Sequence, residues 1–316
     1  MSVQIDTAFV KQFQNIIQML LAQKGSRLRE CVMVETQDAE EQFWEQIGPV
    51  TAAEVTTRHG DSPLISTPHD RRRITLRFFD WGDLIDDNDR VRMLIDPTNA
   101  YAENAAAALG RAIDDVLVGG ANAGDAGGTY GNPSSILDGT AGVLFGTAYT
   151  GKAGATTVTF PAGQVVALNF GGTNVGLTVP KLIEAKRLLM AANVDVEREE
   201  LYIGCTSKGL ADLLNSTQPT SAEFNEVRAL VEGKITRFLG LNFRFLERLP
   251  QSATGAQHWR YPVWCKSGVR LSMARDIKTR IAERPDKRFS TYVYAALACG
   301  GTRMEEGKVV EIKGLI

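Results

Sequence analysis

The chain has 316 residues, 44% of them hydrophobic and 23% charged, which is enough for one large domain or two smaller ones around a sizeable core. A formal net charge of -2 and a pI near 6.0 leave no global electrostatic footprint for nucleic acid or an anionic membrane. No run approaches the ~18 apolar residues that span a bilayer, and Met1-Ser2-Val3-Gln4 opens no signal peptide, so a soluble protein made in a cytoplasm is expected.

The first readable element is an amphipathic helix. Asp6 can cap it, and Phe9, Phe13, Ile16, Ile17, Leu20 and Leu21 form one apolar stripe that needs a partner, either the chain's own body or a neighbour. Residues 43 to 82 read as two extended segments. Ile74, Leu76 and Phe78 alternate in one, and Phe43, Trp44, Ile47 and Val50 mark the other. The connection from Val55 to Arg72 holds Gly60, Pro63 and Pro68 and shows no helical pattern. So long a loop is usually functional, and a hairpin with so little apolar content at its tip is expected to project and be held by another subunit.

Asp96-Pro97 is a cap followed by a favoured first helical position. Tyr101, Ala105, Ala108, Leu109, Ala112, Ile113, Val116 and Leu117 continue it as an unbroken stripe, so the spacing predicts a helix over 97–118, ended by Gly119-Gly120. Between Gly119 and Gly176 the chain holds 15 of its 30 glycines and only three charges, which predicts short strands and turns. Beyond Thr178, helix is expected over Pro180 to Asn193, Lys208 to Leu214 and Ala222 to Glu232. Strand is expected over Leu201 to Gly204, Arg237 to Leu246 and Trp259 to Cys265, making an α+β lobe. The C-terminal stretch is mainly β, with Ile277, Thr279 and Ile281 alternating, a run from Phe289 to Thr302, and a turn at Glu306-Gly307.

Candidate chemistry is thin. Gly146-Thr147-Ala148-Tyr149-Thr150-Gly151-Lys152-Ala153 matches a phosphate-binding loop except at its last position, where a Ser or Thr must hold magnesium. The residues beyond Ala153 read as strand and turn rather than the helix that loop requires. Asp80, Asp83, Asp86, Asp87 and Asp89 lack the glycine and terminal Glu of an EF-hand. His59, His69 and His258 fit no zinc helix. Cys205 follows a strand and precedes a helix, where a nucleophile can sit, but no base partner is evident. With Cys31, Cys265 and Cys299 it forms no CxxC pair, so unpaired and mostly buried thiols are expected. No catalytic, cofactor or metal site is expected.

Arg71, Arg72 and Arg73 are the densest basic run, too short for a nucleic-acid tract and readable as a solvated strand end. They lie on the hairpin arm with the aspartates at its root. An arm positive outward and negative at its base can engage the next copy head to tail, and such heterologous contacts close into rings. The residues expected at subunit contacts are therefore Phe9, Phe13, Ile16, Arg71, Arg72, Arg73, Asp80, Asp83 and Asp86.

This order of parts resembles the major capsid proteins of tailed bacteriophages, with the Hong Kong 97-type α+β fold. The stretches that carry the resemblance are Asp80-Trp81-Gly82-Asp83 to Asp96-Pro97, Ala229-Leu230-Val231-Glu232-Gly233 to Glu247-Arg248-Leu249-Pro250, and Asp276-Ile277-Lys278-Thr279-Arg280-Ile281 to Lys313-Gly314. The resemblance implies an N-terminal arm (1–40), an extended β-hairpin loop (41–85) and a peripheral domain (86–177) with spine helix 97–118 and the glycine-rich insertion. It places an axial domain (178–268) next, then a return to the peripheral domain through strands (269–316). It also implies self-assembly into hexamers and pentamers of an icosahedral head around double-stranded DNA, with procapsid maturation in the host cytoplasm and a place in the virion. The implied partners are a portal protein, a separate scaffolding protein and a decoration protein, with no membrane. An encapsulin-type nanocompartment shell shares the fold and is the alternative, and a P-loop nucleotide-binding enzyme is the rival of another class. One member of the fold class is known for a lysine–asparagine cross-link. No lysine occurs here between Gly25 and Thr150, so no covalent shell is expected.

Overall fold

A computed structural model describes residues 25–54, 56, 58, 61–62, 64–86, 98–119, 142–215, 237–251 and 258–316. The expected N-terminal helix with Phe9, Phe13 and Ile16, the Asp96-Pro97 cap, glycine-rich residues 120–141 and the helix over 222–232 lie outside the described residues.

In chain order the strands are β1 (Met33–Thr36), β2 (Glu41–Ile47), β3 (His69–Thr75), β4 (Arg77–Ile85), β5 (Ala148–Thr150), β6 (Thr156–Val158) and β7 (Val165–Val166). They continue with β8 (Leu201–Cys205), β9 (Arg237–Phe238), β10 (Leu241–Phe245), β11 (His258–Cys265), β12 (Val269–Arg284), β13 (Ser290–Arg303) and β14 (Val309–Leu315). The helices are α1 (Thr98–Val118), α2 (Gly142–Phe145), α3 (Val179–Ala191) and α4 (Ser207–Asn215). Among the described residues these strands form three sheets, in the orders β1-β12-β13-β4, β7-β14-β11-β8-β10-β9 and β2-β3-β5-β6.

The described chain falls into two units. The larger is drawn from 26–78, 112–274 and 298–316. Its six-stranded sheet centres on β8, all five of whose residues are buried, as the uninterrupted run Leu201-Tyr202-Ile203-Gly204-Cys205 requires of a strand covered on both faces. β8 runs parallel to β10 and antiparallel to β11, which pairs along its length with β14. Trp264 stacks on Tyr202 with centroids 6.0 Å apart, and its indole N–H donates to the Cys31 carbonyl at 3.0 Å. α3 starts where Pro180 occupies its first turn and stops where Asn193 takes a left-handed φ of 59°. The Val194 N–H then bonds back to the Leu189 carbonyl at 3.1 Å.

The stretch 237–246, expected as one strand, is a hairpin. Leu239 and Gly240 turn it with φ of 52° and 82°, pairing Phe238 with Leu241. A two-residue turn in which both central residues have positive φ matches the twist of the strands it joins.

α1 buries Ala105, Leu109, Ile113, Val116 and Leu117 of the expected stripe. Asp114 is also fully buried. Its carboxylate accepts the Ser26 hydroxyl at 2.6 Å and the backbone N–H groups of Arg27 and Leu28 at 3.0 and 3.1 Å, fixing the chain just ahead of β1.

The smaller unit holds 79–86, 98–111 and 275–297 of the described residues. Here Trp81 lies 6.5 Å from Tyr101 of α1, and Gly82 leaves room for the Tyr292 side chain, which any Cβ at that position would meet. β12 changes character along its length. Val269 to Met273 are buried or half-buried, whereas from Ala274 onward every residue but the half-buried Ile277 is exposed on both faces.

Candidate subunit-assembly surfaces

The phosphate-loop look-alike folds as strand β5 and a turn into β6, not as strand, loop and helix. Gly151 and Gly154 take φ of 84° and 62°. Two of the donors that a phosphate would need are already used. The Thr150 hydroxyl donates to Asp70 at 2.5 Å and the Gly151 N–H donates to the other Asp70 oxygen at 3.1 Å. The Thr150 bond is the chief cause holding the Asp70 carboxyl below its ordinary range. The Asp70 carboxylate thus takes the place at Thr150 and Gly151 where a phosphate would have to bind.

Cys205 is no nucleophile. It is completely buried, burial pushes its thiol up to about 12, and its Sγ–H is directed to the Thr206 carbonyl at 3.3 Å. Cys31, Cys265 and Cys299 are likewise buried and unpaired. Among the described residues no group of His, Cys, Asp and Glu could hold a metal ion, and no helix is long and apolar enough to cross a membrane.

The arginine run is placed differently from the outward positive arm that its sequence suggested. β2 and β3 pair antiparallel, with Glu45 opposite Arg71, Trp44 opposite Arg72 and Phe43 opposite Arg73. Arg71 meets Glu45 at 3.1 Å and Arg73 meets Glu41 at 3.1 Å, with the Arg73 guanidinium 4.7 Å over the Tyr149 ring. Arg72 is only 5% exposed. Its guanidinium donates to both oxygens of Glu306 at 2.9 Å and to the Met304 carbonyl at 3.1 Å. Glu306 also faces the buried Arg303, which donates to the Leu144 and Gly146 carbonyls at 3.0 and 2.9 Å. Arg72 is therefore an internal anchor of the hairpin, not a solvated strand end. Glu41 and Glu45 were the missed signal: acids spaced four apart on one strand of a hairpin, facing a basic run on the other.

Asp80 and Asp83 lie exposed on β4, and Asp86 is half-buried at its end; Asp87 and Asp89 fall outside the described residues. His69 begins β3 in solvent, and His258 is buried at the start of β11.

The hairpin's far part is mostly polar, and its few large apolar side chains are uncovered. Every described residue from 49 to 70 is exposed, including Val50, Leu64 and Ile65, and Ile47 ahead of them is 69% exposed. Leu64 is fully in solvent.

A family model described as phage capsid protein matches this chain over residues 5–315. The chain belongs to the phage capsid protein family. Similar solved structures agree in fold. The capsid of cyanophage P-SCSP1u superposes with a TM-score of 0.72 at 13% identity, covering 98% of this chain and 94% of that one. The capsid of Ralstonia phage GP4 gives 0.70 at 10% identity, over 97% and 95%, and that of cyanophage Pam1 gives 0.65 at 14%, over 98% and 96%. Among curated protein sequences none matches. The fold is of the Hong Kong 97 type, and the capsid protein is a structural subunit of a phage head shell, located in the virion capsid, and not an enzyme.

Proposed function

We propose that this capsid protein is the shell-building subunit of an icosahedral head, forming hexamers and pentamers around double-stranded DNA packaged without sequence preference. The observation that carries the reading is the hairpin of β2 and β3, folded and internally anchored at its base through Arg72 and yet uncovered at Ile47, Val50, Leu64 and Ile65. In this reading another copy covers that surface.

The division into an N-terminal arm (1–40), extended loop (41–85), peripheral domain (86–177), axial domain (178–268) and returning strands (269–316) belongs to this reading. So do assembly in the host cytoplasm and the partners: a portal protein, a separate scaffolding protein and a decoration protein. Phe9, Phe13 and Ile16 bury their stripe against a neighbour. Asp80, Asp83 and Asp86 supply the acidic rim of the contact, while Arg71 and Arg73 reach it only as charges already paired at home. The shell is held without covalent cross-links, since no lysine lies between Gly25 and Thr150 to form one.

Electron microscopy of the purified chain, with and without its co-expressed scaffold, tests the proposal. Closed shells with fivefold and sixfold capsomers are expected. Open sheets, filaments or lone subunits under every condition would contradict it.

A further inference from the structure

The smaller unit carries an unfinished sheet edge. β1 pairs with β12 only from Met33↔Arg270 to Thr36↔Met273. Among the described residues β12 therefore has no strand on that side from Arg275 to Arg284, where its backbone N–H and C=O groups form an open row. Such a row is a template for another strand. Along it, Arg275, Lys278 and Arg280 make no ion pair among the described residues, and Arg284 pairs with Asp286 at 2.7 Å. Asp276 and Glu283 are the acids of the same stretch, so the edge is net basic.

The other end of this sheet is β4, last in the order β1-β12-β13-β4. From Phe79 to Asp86 it carries Asp80, Asp83 and Asp86 and no basic residue. Its seven residues from Phe79 to Ile85 offer about 23 Å of edge at ~3.3 Å per residue, which the outer part of β12 can match.

We propose that these two edges are partners. The basic edge of β12 in one copy pairs with the acidic edge of β4 in the next, so that one sheet runs on from subunit to subunit. The inference rests on the shell reading above and names the surface through which copies meet. It also moves the counter-charge of Asp80 and Asp83 from the run Arg71, Arg72 and Arg73, which is already paired with Glu45, Glu306 and Glu41, to Arg275, Lys278 and Arg280.

Charges on a strand edge ordinarily guard against any pairing. Here the two edges carry opposite signs. Basic edge against basic edge and acidic against acidic are repelled, and only the head-to-tail combination is left unblocked. A contact between two different patches is heterologous, and it closes into rings when the rotation allows. The charges thus select the kind of contact a capsomer needs.

Charge reversal tests the idea. One variant carries Arg275→Glu, Lys278→Glu and Arg280→Glu, another carries Asp80→Lys and Asp83→Lys, and a third carries all five changes. Each one-edge variant is expected to keep the wild-type circular dichroism and melting profile while its threshold concentration for assembly rises about tenfold or more, the equivalent of ~1.4 kcal/mol. The five-fold variant, with both edges inverted, is expected to return to within about threefold of the wild type. One-edge variants that assemble like the wild type, or a combined variant no better than either, would overturn the pairing. If reversal unfolds the chain, the neutral set Asp80→Asn, Asp83→Asn, Arg275→Gln, Lys278→Gln and Arg280→Gln takes its place. It should assemble several-fold less readily and with weaker dependence on salt, and an unchanged threshold would refute the contact. Wild-type shells with indifferent variants remove the edge contact alone. A wild type that never assembles removes the shell reading, and the contact with it.

Discussion

Lys181, fully buried on α3, is held by carbonyl oxygens rather than by a carboxylate. Its Nζ donates to Leu168, Val175 and Lys313 at 3.0, 2.7 and 2.7 Å, so the three N–H bonds of an ammonium meet three acceptors. The arrangement ties the loop before α3 to the final strand, β14. Burial pushes the pKa of Lys181 down to about 8, and Asp212 opposes the shift weakly. The unfolded chain, with a lysine near ~10.4, holds that proton more tightly. The cost of the buried charge is therefore fully present below pH 8 and fades as pH rises toward ~10. At pH 7, Lys181→Met should cost about 3 kcal/mol in chemical denaturation, because three buried carbonyls lose their donor. Between pH 8 and 10 the wild type should gain further on that variant. A difference that stays flat across this range would mean that the lysine titrates at its ordinary value.

At the scale of elements, the β2–β3 hairpin divides its arginines between two tasks. Arg72 is buried against Glu306 and Met304, while Arg71 is paired with a Glu45 side chain that is 71% exposed. Removing one partner of a buried pair costs about 3–5 kcal/mol, whereas an exposed pair is worth about 0–1. Arg72→Leu should therefore destabilise the chain by several kcal/mol in urea unfolding and Arg71→Leu by less than one. Equal losses would mean that the hairpin base is not anchored as described. The hairpin was legible in part: Phe43 and Trp44 lie on β2 and Ile74 on β3, but the strand expected to run on through Leu76 and Phe78 breaks at Leu76, where β4 of another sheet begins, and β3 starts at His69, inside the expected connection. α1 was legible from its alanine-rich stripe. The burial of Asp114 was not, since a carboxylate on a helix reads as surface until its acceptor sites are filled by Ser26, Arg27 and Leu28 from far upstream. The break at Leu239 was hidden too, because only Gly240 beside it hints at a turn and leucine rarely takes a positive φ.

At the scale of the whole molecule, the described residues leave two kinds of surface without a partner among themselves: the exposed apolar side chains of the hairpin and the two charged edges of the β1-β12-β13-β4 sheet. Membership of the phage capsid protein family was readable from stretches such as Asp80-Trp81-Gly82-Asp83 and Asp276-Ile277-Lys278-Thr279-Arg280-Ile281, which resemble that family. The contact residues were less readable. A charge run shows its sign in sequence, but whether it is spent on a neighbour depends on register and on the turn packed beside it: β2 took Arg71 and Arg73, and Glu306 took Arg72. Sedimentation velocity of the purified chain over a wide concentration range, without nucleotide or metal, probes the central claim most directly. A sharp concentration threshold is predicted, above which material moves from a slow boundary to a single fast one of shell size. A lone slow boundary near 34.4 kDa at every concentration and salt would contradict it.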